Sequence, residues 1–231
     1  MESELDLLLR GEMSVVMRMP YSSNATFLVS IASGEESVQA IYKPMRGERP
    51  LWDFEPGLHR REVAAYRLSQ AMGLNCVPIT VLRDGPGGEG SVQLLIDANP
   101  DEHYFTLFEQ RIELHDQFRA MCAFDIIINN TDRKSGHVLV DKDAHVWGID
   151  HGLCFASDFK LRTVIWEFGG EPLSESIKQI IKPLTLSVPL EVATLLSEQE
   201  IDAITERAEW LSQGAMFPVD QSGRLYPWPL I

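Results

Sequence analysis

The sequence predicts an α+β fold in two lobes, an antiparallel five-stranded N-terminal lobe followed by a mostly helical C-terminal lobe. Three observations support this prediction. Five β-rich runs separated by turn residues lie before residue 97. Beyond Asn99, apolar residues recur at helical spacing. The 231 residues, 45% of them hydrophobic, are enough for one large domain or for two small lobes that share a core.

The first three strands are predicted from residue types and alternation. The runs 13–18 and 26–31 are joined by a segment rich in Pro, Ser and Asn, which indicates a hairpin turn. The run 37–44 alternates apolar and polar residues, which is typical of a half-buried strand. Pro44 ends this strand, so Lys43 is expected at its end.

A helix and two further strands complete the predicted N-terminal lobe. The run 62–72 carries its apolar residues on one stripe, which predicts a helix that begins at Glu62. The runs 76–83 and 91–97 are β-rich and are separated by a turn of Gly, Pro and acidic residues. We therefore assign residues 1–97 to this lobe.

Residues 98–231 are predicted to form the C-terminal lobe of the same domain. Helices are expected around 104–110 and from about His115 to Ile128. A polar loop and a short hairpin follow, and a helical pattern is expected to dominate from about residue 160.

The charge balance excludes two classes of partner. The chain has 20 Lys and Arg against 34 Asp and Glu, a formal net charge of -14, and no basic patch is visible. Nucleic acids and anionic membranes are polyanions that usually require such a patch. The sequence also lacks an uninterrupted apolar run near the roughly 18 residues of a membrane span. We therefore expect neither nucleic-acid binding nor stable membrane association.

The cysteines and the first residues indicate the compartment. Cys76, Cys122 and Cys154 are an odd number, widely spaced and without a CxxC pair, so neither a disulfide framework nor a thiolate zinc site is expected. The first residues are acidic where a signal peptide would be basic. Both observations predict a cytoplasmic protein.

Three short segments contain polar groups that strands and helices do not require, namely 42–44, 129–137 and 148–152. A short hairpin separates the last two, so Asp132 and Asp150 should return to the same end of the lobe. Converging carboxylates repel each other unless a cation compensates them. Oxygen ligands in a cleft suit Mg²⁺, with substrate phosphates supplying further ligands.

Lys43 and Glu62 would complete a phosphoryl-transfer site. Lys43 is a suitable phosphate partner, and Glu62 could hold it in place. With one acid for the attacking hydroxyl and one for a metal, the set matches the chemical requirements of phosphoryl transfer. Each residue also has an ordinary structural alternative, as a solvated lysine, a first-turn acid, a turn residue and a strand-end acid.

The segments FDIIINNTDRKSGHVLV and WGIDHGLCF resemble the catalytic and metal-binding segments of the phosphatidylinositol 3/4-kinase-like branch of the kinase-like superfamily, which includes type II phosphatidylinositol 4-kinases. YKP, REVAAY and GSVQLLID are similar to the branch's phosphate-lysine strand, lobe-bridging helix and adenine-side linker. The resemblance covers about residues 20–157 and is most specific at 125–155. HipA-type bacterial protein kinases share a similar layout.

The resemblance implies a two-lobed protein-kinase-like fold and an ATP-dependent phosphotransferase that uses Mg²⁺ or Mn²⁺. Asp132 would orient or deprotonate the acceptor hydroxyl, and Asp150 would bind the metal. Lys43 would pair the nucleotide phosphates, and Glu62 would pair Lys43. Further nucleotide contacts would come from the turn at Ser22, Ser23, Asn24 and Thr26, and from Leu94, Leu95 and Ile96 beside the adenine.

Two features depart from the family pattern. His137 stands five residues after Asp132, where relatives usually have an Asn as second metal ligand. A histidine nitrogen favours Mn²⁺ or Zn²⁺ more than Asn does, so His137 is either a metal ligand or a structural hydrogen-bonding residue. The predicted phosphate loop also lacks glycine between Met13 and Ser33, which keeps its backbone farther from phosphate.

These departures leave three functions open. The first is phosphoryl transfer to a hydroxyl on a protein or small molecule. The second is a nucleotide-binding pseudokinase that acts as a regulator or scaffold, and the third is transfer of AMP by the same residues. The short chain and its negative charge argue against a phosphoinositide substrate.

Three further residues or segments have expected structural roles. Asp125 lies on an apolar helix stripe and needs partners, so we expect it to accept N–H groups from the catalytic loop. His151 is expected either to support the site or to lie at the surface. The segment 217–231 is expected to pack on its own lobe.

Overall fold

The computed structural model describes residues 3–20, 24–52, 54–223 and 225–230. Two β-sheets and a set of helices form an α+β fold in these residues. Ser22 and Ser23 lie outside the described residues. None of the described helices combines the length and the apolar character needed to cross a membrane.

The N-terminal part contains a five-stranded antiparallel sheet, as predicted. Counted in chain order, its strands lie side by side as first, second, third, fifth and fourth. Lys43 of the third strand faces Ser91 of the fifth in the register. In chain order the elements are α1 (Glu4–Arg10), β1 (Glu12–Arg18), β2 (Phe27–Ser33), β3 (Glu36–Pro44), α2 (Leu58–Ala71), β4 (Thr80–Gly85) and β5 (Gly88–Leu94).

Helix α1 was not predicted from the sequence, because its apolar residues form no extended stripe. Ser3 is the N-cap of the helix, since its hydroxyl accepts a hydrogen bond of 3.1 Å from the N–H of Asp6. Leu7 and Leu8 are buried, and Leu8 packs in a small core with Val29 and other residues of the sheet. The helix therefore covers one face of the sheet.

Helix α2 begins four residues earlier than the sequence pattern indicates. Gly57 precedes it with a φ of 109°, a conformation that favours glycine. The carboxylate of Glu48 then accepts the N–H groups of Gly57 and His59, at 3.0 and 2.8 Å. The prediction that Glu62 begins the helix is therefore wrong, and Glu62 lies one turn inside it.

The last two strands of the sheet are displaced from their predicted bounds. β4 begins at Thr80, four residues later than predicted, because Pro78, two residues before it, has no N–H to donate to a neighbouring strand. β5 ends at Leu94, so Leu95 and Ile96 follow the strand. Leu95 still donates its N–H to the carbonyl of Gln39 at 3.0 Å.

The C-terminal part is mostly helical. The helices predicted at 104–110 and 115–128 and the short hairpin are present. The elements are α3 (Tyr104–Gln110), α4 (His115–Ile128), β6 (Val138–Val140), β7 (Val146–Gly148), α5 (Glu175–Ile181), α6 (Leu190–Ala193) and α7 (Glu198–Gly214).

The expectation of helix from about residue 160 is wrong for the segment before α5. There, backbone N–H groups pair with carbonyls of distant segments instead of with a preceding helical turn. The N–H of Arg162 donates to the carbonyl of Asn130 at 2.8 Å, and the N–H of Val164 donates to that of Arg133 at 3.1 Å. The N–H of Thr163 donates to the carbonyl of Leu225 at 3.0 Å.

The larger hydrophobic core joins α2 to the C-terminal part. Ala65 and Leu68 of α2 belong to the same cluster as Phe118 and Phe124 of α4. The second half of α2 therefore packs with the helical part, while its first turn lies beside the sheet. A residue pair that joins α2 to β3 therefore also connects the sheet to the helical part.

The segment after α7 packs on its own part of the protein. Leu225 accepts hydrogen bonds from the N–H of Thr163 at 3.0 Å and from Nε1 of Trp166 at 3.3 Å. The carbonyl of Leu230 accepts the N–H of Ser135 at 2.8 Å. The segment therefore supports the loop that contains Asp132.

Candidate active site

Lys43 lies between two carboxylates that come from distant parts of the chain. Its Nζ forms an ion pair with Oε1 of Glu62 and lies 2.7 Å from Oδ1 of Asp150. β3 supplies the lysine and α2 supplies Glu62, whereas Asp150 follows β7. One ammonium group thus joins the sheet, the bridging helix and the helical part.

The charges of these three groups determine their protonation. Burial lowers the pKa of Lys43, but Asp150 and Glu62 outweigh it and raise the pKa above its ordinary value. The ammonium group of Lys43 holds the pKa of Asp150 well below its usual range. Burial raises the pKa of Glu62 despite the opposing charge of Lys43. Two carboxylates share a single cation, so the site can accept further positive charge.

The backbone at Asp150 is held in an uncommon conformation. Asp150 has a φ of 62°, in the left-handed region that few residues other than glycine adopt. The next N–H, that of His151, donates to Oε2 of Glu62 at 2.9 Å. The two oxygens of Glu62 therefore bind Lys43 and the backbone beside Asp150 at the same time.

His137 is the second residue near Asp150 with the chemistry of a metal ligand. Its Nε2 lies 3.6 Å from Oδ2 of Asp150. Burial lowers the pKa of His137 to about 4, so the ring is neutral at pH 7 and can bind a metal. Its Nδ1 accepts a long hydrogen bond of 3.4 Å from the N–H of Lys134, which puts the ring proton on Nε2. Metal binding through Nε2 would require this proton to move to Nδ1.

Asp150 and His137 fit a divalent cation only in part. In the described ranges, no group of three or more His, Cys, Asp or Glu side chains is arranged to hold a metal ion. This donor set is compatible with Mg²⁺, which usually takes one or two carboxylates and completes its shell with water and substrate phosphates. Asp150 is half exposed, with a side-chain exposure of 51%, so its oxygens are accessible.

Asp132 lies in the loop between α4 and β6. Its N–H donates to Oδ1 of Asn130 at 3.0 Å, and its Oδ2 lies 3.2 Å from Nζ of Lys134. Burial raises the pKa of Asp132, an effect that Lys134 opposes and the charge of Asp150 reinforces. A carboxylate with a raised pKa is a better proton acceptor than an ordinary aspartate.

Sequence reasoning missed Arg133, the residue that joins the two acidic segments. Its side chain is fully buried, and its Nη2 lies 2.9 Å from Oδ1 of Asp125. Nη1 donates to the carbonyls of His137 and Ile149, at 3.3 and 3.0 Å. Nη2 also lies 2.7 Å from Nε2 of His151. The buried acid on the apolar stripe of α4 was the signal that a nearby cation must be buried with it.

The structure corrects the expected partners of Asp125. They are the side chains of Arg133, Asn130 and Thr163, rather than backbone N–H groups of the loop. Of the two placements considered for His151, the structure shows the buried one, since its exposure is 0%. Both residues are buried and contact Arg133.

The predicted nucleotide loop is described only in part. Oδ1 of Asn24 accepts the N–H of Arg49 at 2.9 Å, and the N–H of Ala25 donates to the carbonyl of Gly47 at 3.0 Å. Thr26 is buried. The described part of the loop is therefore bound to the turn after β3, and its role in nucleotide binding stays a prediction, as does that of Leu94, Leu95 and Ile96.

A family model and a curated protein match this chain. The model of the family described as phosphatidylinositol 3- and 4-kinase matches residues 80–205. Protein Rv2133c of Mycobacterium tuberculosis is 37% identical, over 99% of this chain and 95% of that protein.

Two solved structures show a similar fold. The proinflammatory kinase CtkA of Helicobacter pylori has a TM-score of 0.54 at 11% identity, covering 91% of this chain and 94% of that one. Hydra Fam20, in a structure with sugar, has a TM-score of 0.54 at 12% identity, covering 93% and 89%. These neighbours confirm the kinase-like fold. Because the family model spans more than half of the 231 residues, the chain belongs to the phosphatidylinositol 3- and 4-kinase family.

Proposed function

We propose that this protein is an ATP- and divalent-metal-dependent phosphotransferase that transfers the γ-phosphoryl group to a hydroxyl of a protein or small molecule. The placement of Lys43 between Glu62 and Asp150 is the observation that carries the proposal. It supplies the lysine, its acidic partner and the metal-binding acid that phosphoryl transfer requires. Membership of a kinase family supports a phosphotransferase type of function.

The two carboxylates beside Lys43 would have different roles. Glu62 is 3% exposed and also accepts the N–H of His151, so it would stay bound to Lys43. Asp150 is half exposed, and its contact with Lys43 can be replaced. On nucleotide binding, Lys43 would turn to the phosphates, and Asp150 with His137 would hold the divalent cation. The cation would neutralise the charge that develops on the phosphate oxygens.

Asp132 would act on the acceptor. As the acceptor oxygen bonds to the γ-phosphorus and the bond to the leaving ADP breaks, the carboxylate of Asp132 would accept the hydroxyl proton. Its raised pKa suits this step, and Lys134, at 3.2 Å, would balance the charge around it. Most of the rate enhancement would come from positioning and charge neutralisation.

We propose a protein or small-molecule acceptor rather than a membrane lipid. A formal net charge of -14 repels the anionic surface at which phosphoinositides reside. The alternatives considered from the sequence, a pseudokinase and an AMP transferase, have no further support in the geometry of the described residues.

The first test is nucleotide binding measured by thermal shift with ATP and either Mg²⁺ or Mn²⁺. A ligand that binds only the folded state raises the melting temperature. We expect a metal-dependent rise in the wild type and in Asp143→Ala, an exposed acid of the β6–β7 turn, and no rise in Asp150→Ala. Absence of any rise in the wild type would contradict the proposal.

The second test follows transfer of the labelled γ-phosphoryl group to a panel of protein and small-molecule hydroxyl compounds. Asp132→Ala should abolish transfer while ATP binding is retained. The mass of the product separates phosphoryl transfer from AMP transfer. Binding without transfer by the wild type, under every metal and acceptor, would support the pseudokinase instead.

A further inference from the structure

His59, in the first turn of α2, is enclosed by two carboxylates from different parts of the chain. Its Nδ1 lies 2.6 Å from Oε1 of Glu48, and its Nε2 lies 3.1 Å from Oε1 of Glu89. Glu48 comes from the loop between β3 and α2, and Glu89 is the second residue of β5. The exposure of His59 is 2%, so water cannot replace these contacts.

The contacts of His59 require both ring nitrogens to carry a proton. Ionised carboxylates only accept hydrogen bonds, so each ring nitrogen must donate one. Burial lowers the pKa of His59, but Glu48 and Glu89 outweigh it and raise the pKa above the ordinary 6.5. Arg60 is a further charged group at this cluster, and its Nη2 lies 3.4 Å from Oε1 of Glu89. Loss of the proton would leave a bare nitrogen facing a carboxylate in a buried position.

This cluster and the ion pair of the active site both join α2 to the five-stranded sheet. Glu62 follows His59 by three residues, so the two side chains lie one helical turn apart. Glu89 precedes by two residues Ser91, which faces Lys43 across the β3–β5 ladder. The contact of His59 with Glu89 therefore runs beside the contact of Glu62 with Lys43, and both connect α2 to the sheet.

The second half of α2 has a different environment. Ala65 and Leu68 belong to the larger hydrophobic core, which includes residues of the helical part. The first turn is the region where α2 meets the loop that contains Glu48 and the strand that contains Glu89. A displacement of this turn would move Glu62 relative to Lys43 and to the backbone beside Asp150.

We propose that His59, as an imidazolium, is a positioning residue that fixes the first turn of α2 to β5 and thereby keeps Glu62 on Lys43. This inference rests on the proposed function, because Lys43 and Glu62 matter for catalysis only if the cleft binds ATP. It follows that the affinity for ATP with Mg²⁺ falls as the pH rises and His59 loses its proton.

The test is the dissociation constant of ATP with Mg²⁺, measured by calorimetry between pH 7 and pH 9. The terminal phosphate of ATP, with a pKa of about 6, is ionised throughout this pH range. We expect the wild-type affinity for ATP to fall about tenfold over this range. This factor corresponds to a protein that binds ATP about tenfold more tightly when His59 is protonated than when it is neutral. His59→Gln should bind weakly at every pH. Glu113→Gln, which removes an exposed carboxylate of the other lobe, should match the wild type.

Glu89→Gln separates this role from a merely structural one. It keeps the imidazole and removes one carboxylate that stabilises its proton, so the midpoint of the pH profile should move to lower pH. A structural role for His59 would leave that midpoint unchanged. The same variant carries the test if His59→Gln does not fold, because Glu89 is partly exposed, with a side-chain exposure of 39%.

The outcomes separate the two proposals. Wild-type affinity that is constant with pH, or a Glu89→Gln profile with the wild-type midpoint, overturns the role of His59 and leaves the proposed function intact. Absence of ATP binding at every pH, with either Mg²⁺ or Mn²⁺, overturns the proposed function and this inference together.

Discussion

Arg133 and Asp125 form an ion pair in which both side chains are fully buried, with 2.9 Å between Nη2 and Oδ1. The same guanidinium group binds the carbonyls of His137 and Ile149 and the ring of His151. Helix α4, the loop that contains Asp132 and the segment around Asp150 are thereby joined at one cation. This pair holds the two acidic segments of the candidate site together.

Arg133→Met should therefore destabilise the protein strongly. Removing one partner of a buried ion pair leaves an uncompensated charge, here that of Asp125, and typically costs about 3–5 kcal/mol in the free energy of unfolding. Urea denaturation measures this cost. Arg133→Met combined with Asp125→Leu should cost less than the sum of the single changes, and simple additivity would contradict a coupled pair.

Lys43→Met should weaken ATP binding strongly. The change leaves Glu62 and Asp150 without the cation that they share, so they repel each other and any phosphate that approaches. We expect the affinity for ATP, measured by calorimetry, to fall by more than about tenfold, or 1.4 kcal/mol. Lys142→Met, at an exposed lysine, is the matched control, and equal affinities in both variants would exclude a phosphate role for Lys43.

Glu48 should stabilise the protein in a pH-dependent manner. Although burial opposes it, the bonds from His59 and Gly57 lower the pKa of Glu48 from 4.5 to about 2. A lowered carboxyl pKa means that the unfolded state binds more protons between these values, so the contribution is full above pH 4.5 and is lost as the pH falls through about 2. Glu48→Gln should lose about 2–3 kcal/mol at pH 6 and much less near pH 2, measured by denaturant unfolding. A stability difference that does not change with pH would contradict this.

His137→Asn should change the metal preference of the site. A histidine nitrogen favours Mn²⁺ over Mg²⁺ more than an amide oxygen does, and His137 lies 3.6 Å from Asp150. We expect the variant to need relatively less Mg²⁺ for half-maximal thermal stabilisation with ATP, and relatively more Mn²⁺, than the wild type. An unchanged ratio of the two metal concentrations would show that His137 is a structural residue.

Local patterns in the sequence determined much of the fold. Alternation at 37–44 predicted the strand that contains Lys43, and helical patterns predicted α3 and α4. The motif around Asp132 and the segment around Asp150 predicted the family, which the comparisons confirmed. These features could be predicted because strand and helix periodicity and short motifs depend on residues close together in the chain.

The tertiary structure alone decided how the site is held together. Lys43 and Asp150 are 107 residues apart in the chain, and no local pattern indicates that they meet at 2.7 Å. The burial of Arg133 and the enclosure of His59 by Glu48 and Glu89 depend likewise on contacts between separate elements. The sequence determined which charged groups the chain carries. Tertiary packing decided which of these groups are buried together, because a charged group that is removed from water is stable only beside a group of opposite charge or a hydrogen-bond partner.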